Sequence, residues 1–318
     1  MQRLQNRIAI VTGAGSGLGR SHALLLASQG ASVVVNDLGT DVQGRGSNRD
    51  RAAAVVTEIE AAGGQAVASH HDVADWDEAG ELIATAVETF GRLDVLVNNA
   101  GILADRTLAK MMPDDWDSVI RVHLRGHAGP IAHAMSHWRT RAKAHGAVGA
   151  SVINTTSVAG LTGNFGQANY SAAKAGVIAL SRVVSLEGRA IGVRSNAVSP
   201  SARTRMAASV PGSDSLIAPP EDPAAFDQLD PANVSPLIAW LAEETCPADS
   251  QVFHVIGSRL YIVAMPWIAH RLETVGRWTP EELDRELLPR LVDQLAIDAF
   301  IEGYLPAPPE CAIAGPTA

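Results

Sequence analysis

Residues 7–28 read RIAIVTGAGSGLGRSHALLLAS, and this stretch decides the fold. A short apolar run, Arg7–Val11, leads into a glycine-rich turn at Thr12–Gly19 and then into the helix-like sequence Ser21–Ala27. Glycines at a strand-to-helix turn let the backbone approach a pyrophosphate, whose charge the amino end of the helix stabilises. The glycine spacing is G-x-x-x-G-x-G rather than G-x-G-x-x-G. A tight turn that binds nothing is the alternative.

An acidic residue after the next apolar run supports a dinucleotide site. Asp37 lies 18 positions past Gly19, close to the spacing of about 20 expected for an acid that binds the adenosine ribose. A carboxylate there would repel a 2′-phosphate, so the sequence predicts that NAD is preferred over NADP. A plain cap or turn role is the alternative for Asp37. The predicted cofactor contacts in the turn are Gly13, Ser16, Gly17, Leu18 and Gly19.

Seven apolar runs recur along the chain, separated by stretches of helical composition. They are Arg7–Val11, Ala31–Val35, Gln65–Ala68, Leu93–Val97, Ser151–Asn154, Val193–Val198 and Gln251–Val255. Val33–Val35 shows little alternation of apolar and polar residues, as expected when helices cover both faces of a sheet. The pattern predicts an α/β fold of the Rossmann type, with a doubly wound, seven-stranded parallel sheet.

Composition limits the classes of partner. The chain has 318 residues, of which 47% are hydrophobic, and a formal net charge of −9. This charge disfavours nucleic acid or an anionic membrane as the main partner, because both require a basic surface. Cys246 and Cys311 are far apart and lack metal-binding spacing, so neither a disulfide framework nor a metal site is expected. The first residues lack the apolar core of a secretory signal, and a cytoplasmic location is expected.

A tyrosine and a lysine supply candidate acid–base chemistry. Tyr170 and Lys174 lie four residues apart, which places them on one face of a helix. An unperturbed phenol titrates near pH ~10, so acid–base work near neutrality needs a neighbouring cation, which Lys174 can supply. Ser157 follows the fifth run and can donate to a carbonyl oxygen beside the phenol. A solvated helix face is the alternative for the pair alone; the preceding strand and Ser157 favour a catalytic site.

Six motifs in order make residues 1–260 similar to the short-chain dehydrogenase/reductase family. They are Thr12-Gly13-x-x-x-Gly17-x-Gly19, Asp72-Val73, Asn98-Asn99-Ala100-Gly101, Ser157, Tyr170-x-x-x-Lys174 and Pro200 followed by Thr204. The resemblance implies that the protein binds a small-molecule substrate. It also implies a homodimer or homotetramer, because the family packs the helices after the Asn-Ala-Gly and Tyr-x-x-x-Lys motifs against a partner.

The same resemblance implies roles for individual residues. Ser157 would orient the substrate oxygen, Tyr170 would exchange the proton, and Lys174 would bind the nicotinamide ribose and lower the phenol's pKa. The other implied cofactor contacts are Asp72 and Val73 at the adenine, Asn99 beside the ribose and Thr204 near the carboxamide.

Two positions depart from the family pattern. His123 stands where the family usually has an Asn that helps to hold a proton-relay water. Its backbone carbonyl would preserve the relay, or the relay would differ. Ser201 replaces the glycine of the usual Pro-Gly after the sixth strand, so the backbone before Thr204 is less free to adopt the conformation of the family's nicotinamide contact.

A narrower likeness within the family is to the (3R)-hydroxyacyl-CoA dehydrogenase parts of type 2 multifunctional enzymes, the group of 17β-hydroxysteroid dehydrogenase type 4. It is carried by Asn36–Gly39, Asn98–Arg106, Val122–Gly126 and Gly163–Tyr170, and His123 is then the group's own residue. The likeness implies an NAD-dependent dehydrogenase of a hydroxyacyl-CoA or hydroxysteroid, in lipid metabolism such as sterol side-chain or fatty acyl-CoA degradation. Reduction of a 3-oxoacyl thioester and a catalytically idle NAD-binding protein are the alternatives.

Two basic clusters are candidate contacts for CoA phosphates. The first contains Arg139, Arg141 and Lys143, for which a solvated helix end is an equally good interpretation, and the second contains Arg203 and Arg205.

Two segments lie outside the regular strand–helix rhythm. Residues 209–230 form a long Pro/Ser/Asp-rich connection, which indicates a mobile or functional loop. The extension at 261–318 contains a predicted helix start, with Thr279 as cap and Pro280 at the first helical position, and a predicted break at Pro289. Its apolar residues predict that it packs on the body of the protein. Loop and extension would together shape the apolar end of the substrate pocket, or act as a structural or intersubunit clasp.

Overall fold

The structure is a computed structural model, which describes residues 2–208, 217–222, 224–264, 271–273 and 277–287. By its internal contacts the chain divides into two units, residues 1–263 and 264–318. Within the described ranges, no helix has both the length and the apolar character needed to cross a membrane.

The first unit contains one eight-stranded sheet. Its strands are β1 (Ile8–Thr12), β2 (Ser32–Asn36), β3 (Gln65–Ser69), β4 (Val95–Asn98), β5 (Ala150–Thr155), β6 (Val193–Ser201), β7 (Val252–Ile256) and β8 (Arg259–Val263). They are ordered β3-β2-β1-β4-β5-β6-β7-β8 across the sheet. All pairs from β3 to β7 are parallel, which confirms the predicted fold class, and each of these strands overlaps one predicted run.

Helices cover both faces of this sheet. The helices of the described residues are α1 (Gly17–Ser28), α2 (Asp50–Ala61), α3 (Trp76–Phe90), α4 (Pro113–Ile120), α5 (Gly126–His145), α6 (Val158–Thr162), α7 (Ala168–Gly188), α8 (Arg205–Ala208), α9 (Ser235–Ala242) and α10 (Pro280–Leu287). Residues from α1, α2 and α9 form one core, with Leu26, Val55 and Leu241 fully buried. Residues from α3, α5 and α7 form the other core, around Trp138. Burial on both faces explains why strands such as β1 and β2 carry almost only apolar side chains.

The eighth strand is not among the predicted elements. β8 pairs antiparallel with β7 after the two-residue connection Gly257-Ser258, where Gly257 has φ +54°. Such a short connection joins antiparallel strands, whereas parallel strands need a long crossover. The segment 261–263, which the sequence analysis placed in the extension, therefore completes the sheet.

The described part of the second unit contains α10. The Thr279 amide donates to Glu282 Oε2 over 2.9 Å, and the Glu282 amide donates to Thr279 Oγ1 over 3.2 Å. This reciprocal pair is a capping box and confirms the predicted helix start at Thr279-Pro280. The predicted break at Pro289 lies outside the described residues.

Candidate active site

The carboxyl ends of β1 and β4 meet where the strand order reverses, which is where ligands bind in sheets of this kind. Thr12 Oγ1 accepts hydrogen bonds from the backbone amides of Asn99 (2.9 Å) and Ala100 (3.1 Å). In return, Asn99 Nδ2 donates to the Thr12 carbonyl over 3.0 Å and lies 3.3 Å from the Gly13 carbonyl. Asn99 therefore joins the two strand ends and holds the glycine turn in place.

The glycines of the turn are required by its backbone. Gly13 and Gly17 adopt φ values of +63° and +54°, which side chains rarely adopt. A Cβ at Gly13 would lie 2.8 Å from Ala100 Cα, and a Cβ at Gly19 would lie 2.3 Å from the Gly13 carbonyl oxygen. The turn leads into α1, whose first amides have no partner within the helix. The resulting cradle fits the diphosphate of a dinucleotide.

Asp37 organises the neighbouring turns. Its Oδ2 accepts from the Gly15 amide over 2.7 Å and its Oδ1 accepts from the Gly39 amide over 2.6 Å. The carboxylate is half-buried and lies at the end of β2, beside the glycine turn. It could bind a ribose hydroxyl there, since each carboxylate oxygen can accept more than one hydrogen bond.

The predicted adenine contacts lie after β3. Asp72 Oδ2 accepts from Arg121 over 2.5 Å, and Asp72 Oδ1 accepts from the Ala74 amide over 2.9 Å. Val73 is buried against the start of α5 at Gly126. These contacts fix the segment, and Val73 could supply an apolar wall.

The three predicted catalytic residues come from adjoining elements. Ser157 follows β5 and caps α6, because its Oγ accepts from the Ala159 amide over 3.2 Å. Tyr170 and Lys174 lie on α7, with Lys174 Nζ 5.7 Å from the centre of the phenol ring. The Ser157 side chain lies close enough to the phenol to lower the pKa of Tyr170. The structure thus brings Ser157, Tyr170 and Lys174 together.

Burial dominates the electrostatics of these groups. Burial raises the pKa of Tyr170 to about 12, against the lowering effect of Ser157. Burial also lowers the pKa of Lys174 to about 7, and its Nζ donates to the Thr155 carbonyl over 2.6 Å. That Lys174 lowers the phenol's pKa, as the resemblance implies, stays a prediction.

The lowered pKa of Lys174 makes stability depend on pH. The unfolded chain keeps the ordinary lysine pKa of 10.5, so between pH 7 and 10.5 it binds more protons than the folded chain does. The free energy of unfolding therefore gains a contribution that rises with pH across this window.

Lys174→Met removes that contribution, so wild type should gain stability relative to the variant as pH rises. Denaturant titrations at both ends of the window measure this difference, with the exposed Lys143→Met as control. A pH-independent difference would contradict the buried-lysine account.

His123 lies in a π-helical turn, Arg121–Arg125, between α4 and α5. Its Nε2 lies 2.7 Å from the Ile102 carbonyl oxygen and 3.1 Å from the Ile102 amide, and its ring meets the Tyr170 ring edge-on at 5.0 Å. Burial lowers the pKa of His123 well below its ordinary value, and the Lys174 charge lowers it further. His123 is therefore a neutral ring that packs against the phenol.

Two further residues beside the phenol and the ammonium group have roles that sequence reasoning missed. Burial lowers the pKa of His127 well below its ordinary value, with a further lowering from Lys174, and its Nε2 is buried without a hydrogen-bond partner among the described residues. The sequence signal for His127 was its position four residues after His123, which places both histidines on one side of a helix. Asp105 accepts from Gln167 Nε2 over 2.7 Å, and its charge raises the pKa of Tyr170.

The basic clusters do not form a common phosphate site. Arg141 lies 3.4 Å from Asp94 at the amino end of β4, the edge opposite the glycine turn, so the helix-end interpretation of the first cluster is favoured. Arg203 is paired with Asp227. Arg205 alone reaches the glycine turn, where it donates to Ser16 Oγ over 2.9 Å.

Comparisons with known proteins agree with this architecture. A family model described as short chain dehydrogenase matches residues 7–213. The hydroxyacyl-CoA dehydrogenase ChsB1 of Mycobacterium tuberculosis is 42% identical over 292 residues, which cover 89% of this chain and 88% of that protein. The peroxisomal multifunctional enzyme type 2 of Mus musculus is 43% identical over 254 residues, covering 80% of this chain. The match spans only 32% of that longer enzyme.

A solved structure also matches nearly the whole chain. The crystal structure of a short chain dehydrogenase from Mycobacterium avium is 43% identical, with a TM-score of 0.77, and covers 96% of this chain and 98% of that one. The sequence resemblance is therefore confirmed at the level of family and fold. This chain belongs to the short-chain dehydrogenase family and is related to hydroxyacyl-CoA dehydrogenases.

Proposed function

We propose that this protein is an NAD-dependent dehydrogenase that oxidises the secondary alcohol of a hydroxyacyl-CoA or a hydroxysteroid. The observation that carries the proposal is the buried group of Ser157, Tyr170 and Lys174 in a chain that also has the glycine turn. Members of the family use NAD(P). The bound cofactor would supply the hydride acceptor for the carbinol carbon.

The chain's own residues would handle orientation and the proton. Ser157 donates a hydrogen bond that orients the substrate oxygen, and Tyr170 takes the hydroxyl proton as general base. Lys174 holds the nicotinamide ribose and carries positive charge beside the phenol when it is protonated. The neutral His123 ring is anchored at the Ile102 backbone and packs against the Tyr170 ring, so it supports the position of the phenol.

The rim of the site favours a large apolar substrate. Phe165, Leu108 and Met112 are 89%, 68% and 58% exposed, respectively. A backbone bridge between Arg106 and Gln167 joins the segment that carries Leu108 to the segment that carries Phe165. Gln167 lies three residues before Tyr170, so both segments adjoin the site. The similarity to a mycobacterial hydroxyacyl-CoA dehydrogenase supports an acyl-CoA substrate and hence a role in lipid degradation, of fatty acyl-CoA or of sterol side chains. A hydroxysteroid fits the same rim.

Reduction of a 3-oxoacyl thioester is a second candidate, favoured by one observation. The pKa of Tyr170 is raised to about 12, so at neutral pH the phenol is protonated and ready to donate. Oxidation should speed up as pH rises, because the phenolate fraction grows, and reduction should not. Initial rates in both directions across pH distinguish the two reactions, while absence of turnover in both would indicate a catalytically idle NAD-binding protein.

NAD should be preferred over NADP, because Asp37 places negative charge where the additional phosphate would lie. Asp37→Ala should lower kcat/KM with both cofactors, since the Gly15 and Gly39 amides lose their acceptor. The NAD-to-NADP ratio of kcat/KM isolates the charge effect, because loosening of the turns is common to both. We expect the ratio to fall by roughly 10-fold, or ~1.4 kcal/mol. Equal use of both cofactors by wild type would contradict the preference.

We further propose a homodimer or homotetramer. Val183 and Leu186 on α7 are 46% and 63% exposed, which supports this helix as an interface. Light scattering at micromolar concentration tests it, and a monomer would count against it.

That residues 209–230 and the extension 261–318 shape the apolar end of the pocket, or act as a structural or intersubunit clasp, stays a prediction from the sequence, because residues 209–216 and most of the extension lie outside the described residues. Truncation after Val263 keeps β8 and removes the second unit. A selective rise in KM for long or polycyclic substrates supports the pocket role, and unchanged kinetics would refute it.

A cytoplasmic location also remains a proposal. It is supported by Cys246, which is buried and forms no disulfide within the described residues, as expected in a reducing compartment. Cell fractionation tests it.

A further inference from the structure

One cation lies directly over the glycine turn. Arg205, at the start of α8, donates from Nη2 to Ser16 Oγ over 2.9 Å, although the two residues are 189 positions apart. Thr204 lies over the same turn, because a Cβ at Gly17 would be 3.6 Å from Thr204 Cγ2. The segment after β6 therefore reaches the amino end of α1.

The amino end of α1 is poorly supplied with acceptors. Ser16 is the N-cap residue, but its side chain makes no capping hydrogen bond, and the first turn of the helix holds no acidic residue. The positive end of the helix dipole and the unpaired amides thus face the same place as the Arg205 guanidinium.

Neighbouring contacts fix Arg205 in this position. Arg203 is paired with Asp227, and its backbone amide donates to the Leu229 carbonyl over 2.6 Å. Thr204 Oγ1 accepts from the Ala207 amide over 3.1 Å, which caps the short helix α8. With both preceding residues anchored, the Arg205 side chain projects towards the turn.

The charge of Arg205 is not neutralised within the described residues. No carboxylate there lies within salt-bridge distance of its guanidinium, whereas Arg20 on α1 is paired with Glu58. An unpaired guanidinium beside free amides matches a diphosphate, which carries one negative charge on each phosphate and accepts charge-assisted hydrogen bonds from arginine.

We propose that Arg205 binds the diphosphate of the dinucleotide. Ser16 Oγ holds the guanidinium in place, and the diphosphate oxygens accept from the guanidinium and from the amides at the start of α1. The inference rests on the proposed dinucleotide site and adds a contact from the opposite side of the turn.

The test is the dissociation constant of two ligands that share the diphosphate, NAD and ADP-ribose, measured by calorimetry. Arg205→Gln should raise the Kd of both by a similar factor, about 10-fold, the low end for a hydrogen bond to a charged group. Loss of one phosphate contact should also make the Kd less sensitive to salt. Arg20→Gln is the matched control, because it removes an exposed cation from α1 and should leave both Kd values unchanged.

The outcomes separate this inference from the proposed function. Wild type that binds neither ligand would overturn both. If wild type binds both ligands and Arg205→Gln leaves both Kd values unchanged, only the role of Arg205 is overturned. A rise in Kd for NAD alone would also overturn that role, because it would locate the contact at the nicotinamide. Arg205→Lys keeps the charge and serves if Arg205→Gln does not fold. It should bind both ligands less tightly than wild type but keep the wild-type salt dependence; a wild-type Kd would overturn the guanidinium contact.

Discussion

Tyr170→Phe should lower kcat by at least ~100-fold while the Kd for NAD stays close to that of wild type. In the proposed reaction the phenol oxygen carries the proton, and removal of a positioned acid–base group costs at least about this factor. The proposed dinucleotide site lies elsewhere, at the glycine turn and the amino end of α1. Steady-state kinetics and calorimetry on the same preparation measure the two quantities.

Tyr261→Phe is the matched control for this variant. Tyr261 lies on β8, where its ring stacks on that of His254 with the ring centres 5.7 Å apart. Tyr261→Phe therefore removes the same hydroxyl group from a tyrosine outside the proposed catalytic group of Ser157, Tyr170 and Lys174. It should keep wild-type kcat. If Tyr170→Phe kept more than a few per cent of activity, another group would carry the proton, with His123 the first candidate because its ring contacts the phenol.

Gly19→Ala should weaken dinucleotide binding by about 100-fold, or ~2.8 kcal/mol. The added Cβ would lie 2.3 Å from the Gly13 carbonyl oxygen and 2.7 Å from Asn99 Nδ2, so the turn must move. That movement disturbs both the phosphate-binding amides and the hydrogen bonds that join the turn to the end of β4. Calorimetry with NAD measures the loss, and thermal unfolding should show a lowered Tm.

Gly80→Ala separates this effect from a general cost of adding a methyl group to a helical glycine. Gly80 lies in α3, and its added Cβ would meet the His133 ring at 3.0 Å rather than backbone. The histidine can shift by a few tenths of an ångström, so NAD binding should be retained. Equal losses in Gly19→Ala and Gly80→Ala would show that the turn does not hold the cofactor.

The parallel sheet was predictable because its strands are buried on both faces. Val33–Val35 carries only apolar side chains, and such runs stand out in a sequence. β8 was not predicted because it is an edge strand that exposes Leu260 and Ile262. Its first residue, the polar Arg259, also shortens the apolar run that would have indicated a strand. The short connection Gly257-Ser258 was the sequence signal for an antiparallel partner.

The candidate site was predictable where chemistry depends on residue type at a fixed spacing, as for Tyr170 and Lys174. It was not predictable where chemistry depends on the environment. Burial determines that the pKa of Tyr170 rises and that of Lys174 falls, and burial follows from the packing of α7 against the sheet. The location of basic residues also depends on the fold. Arg141 and Arg205 are alike in sequence terms, but the fold places Arg141 at the opposite edge of the sheet from the glycine turn that Arg205 contacts.

Reduction of NAD by the wild-type protein, measured with a panel of hydroxyacyl-CoA esters and hydroxysteroids, tests the central claim most directly. The account predicts NADH formation with at least one of these substrate classes and loss of that activity in Tyr170→Phe, with NAD still bound. Absence of turnover across the panel in either direction, by folded protein that binds NAD, would contradict it.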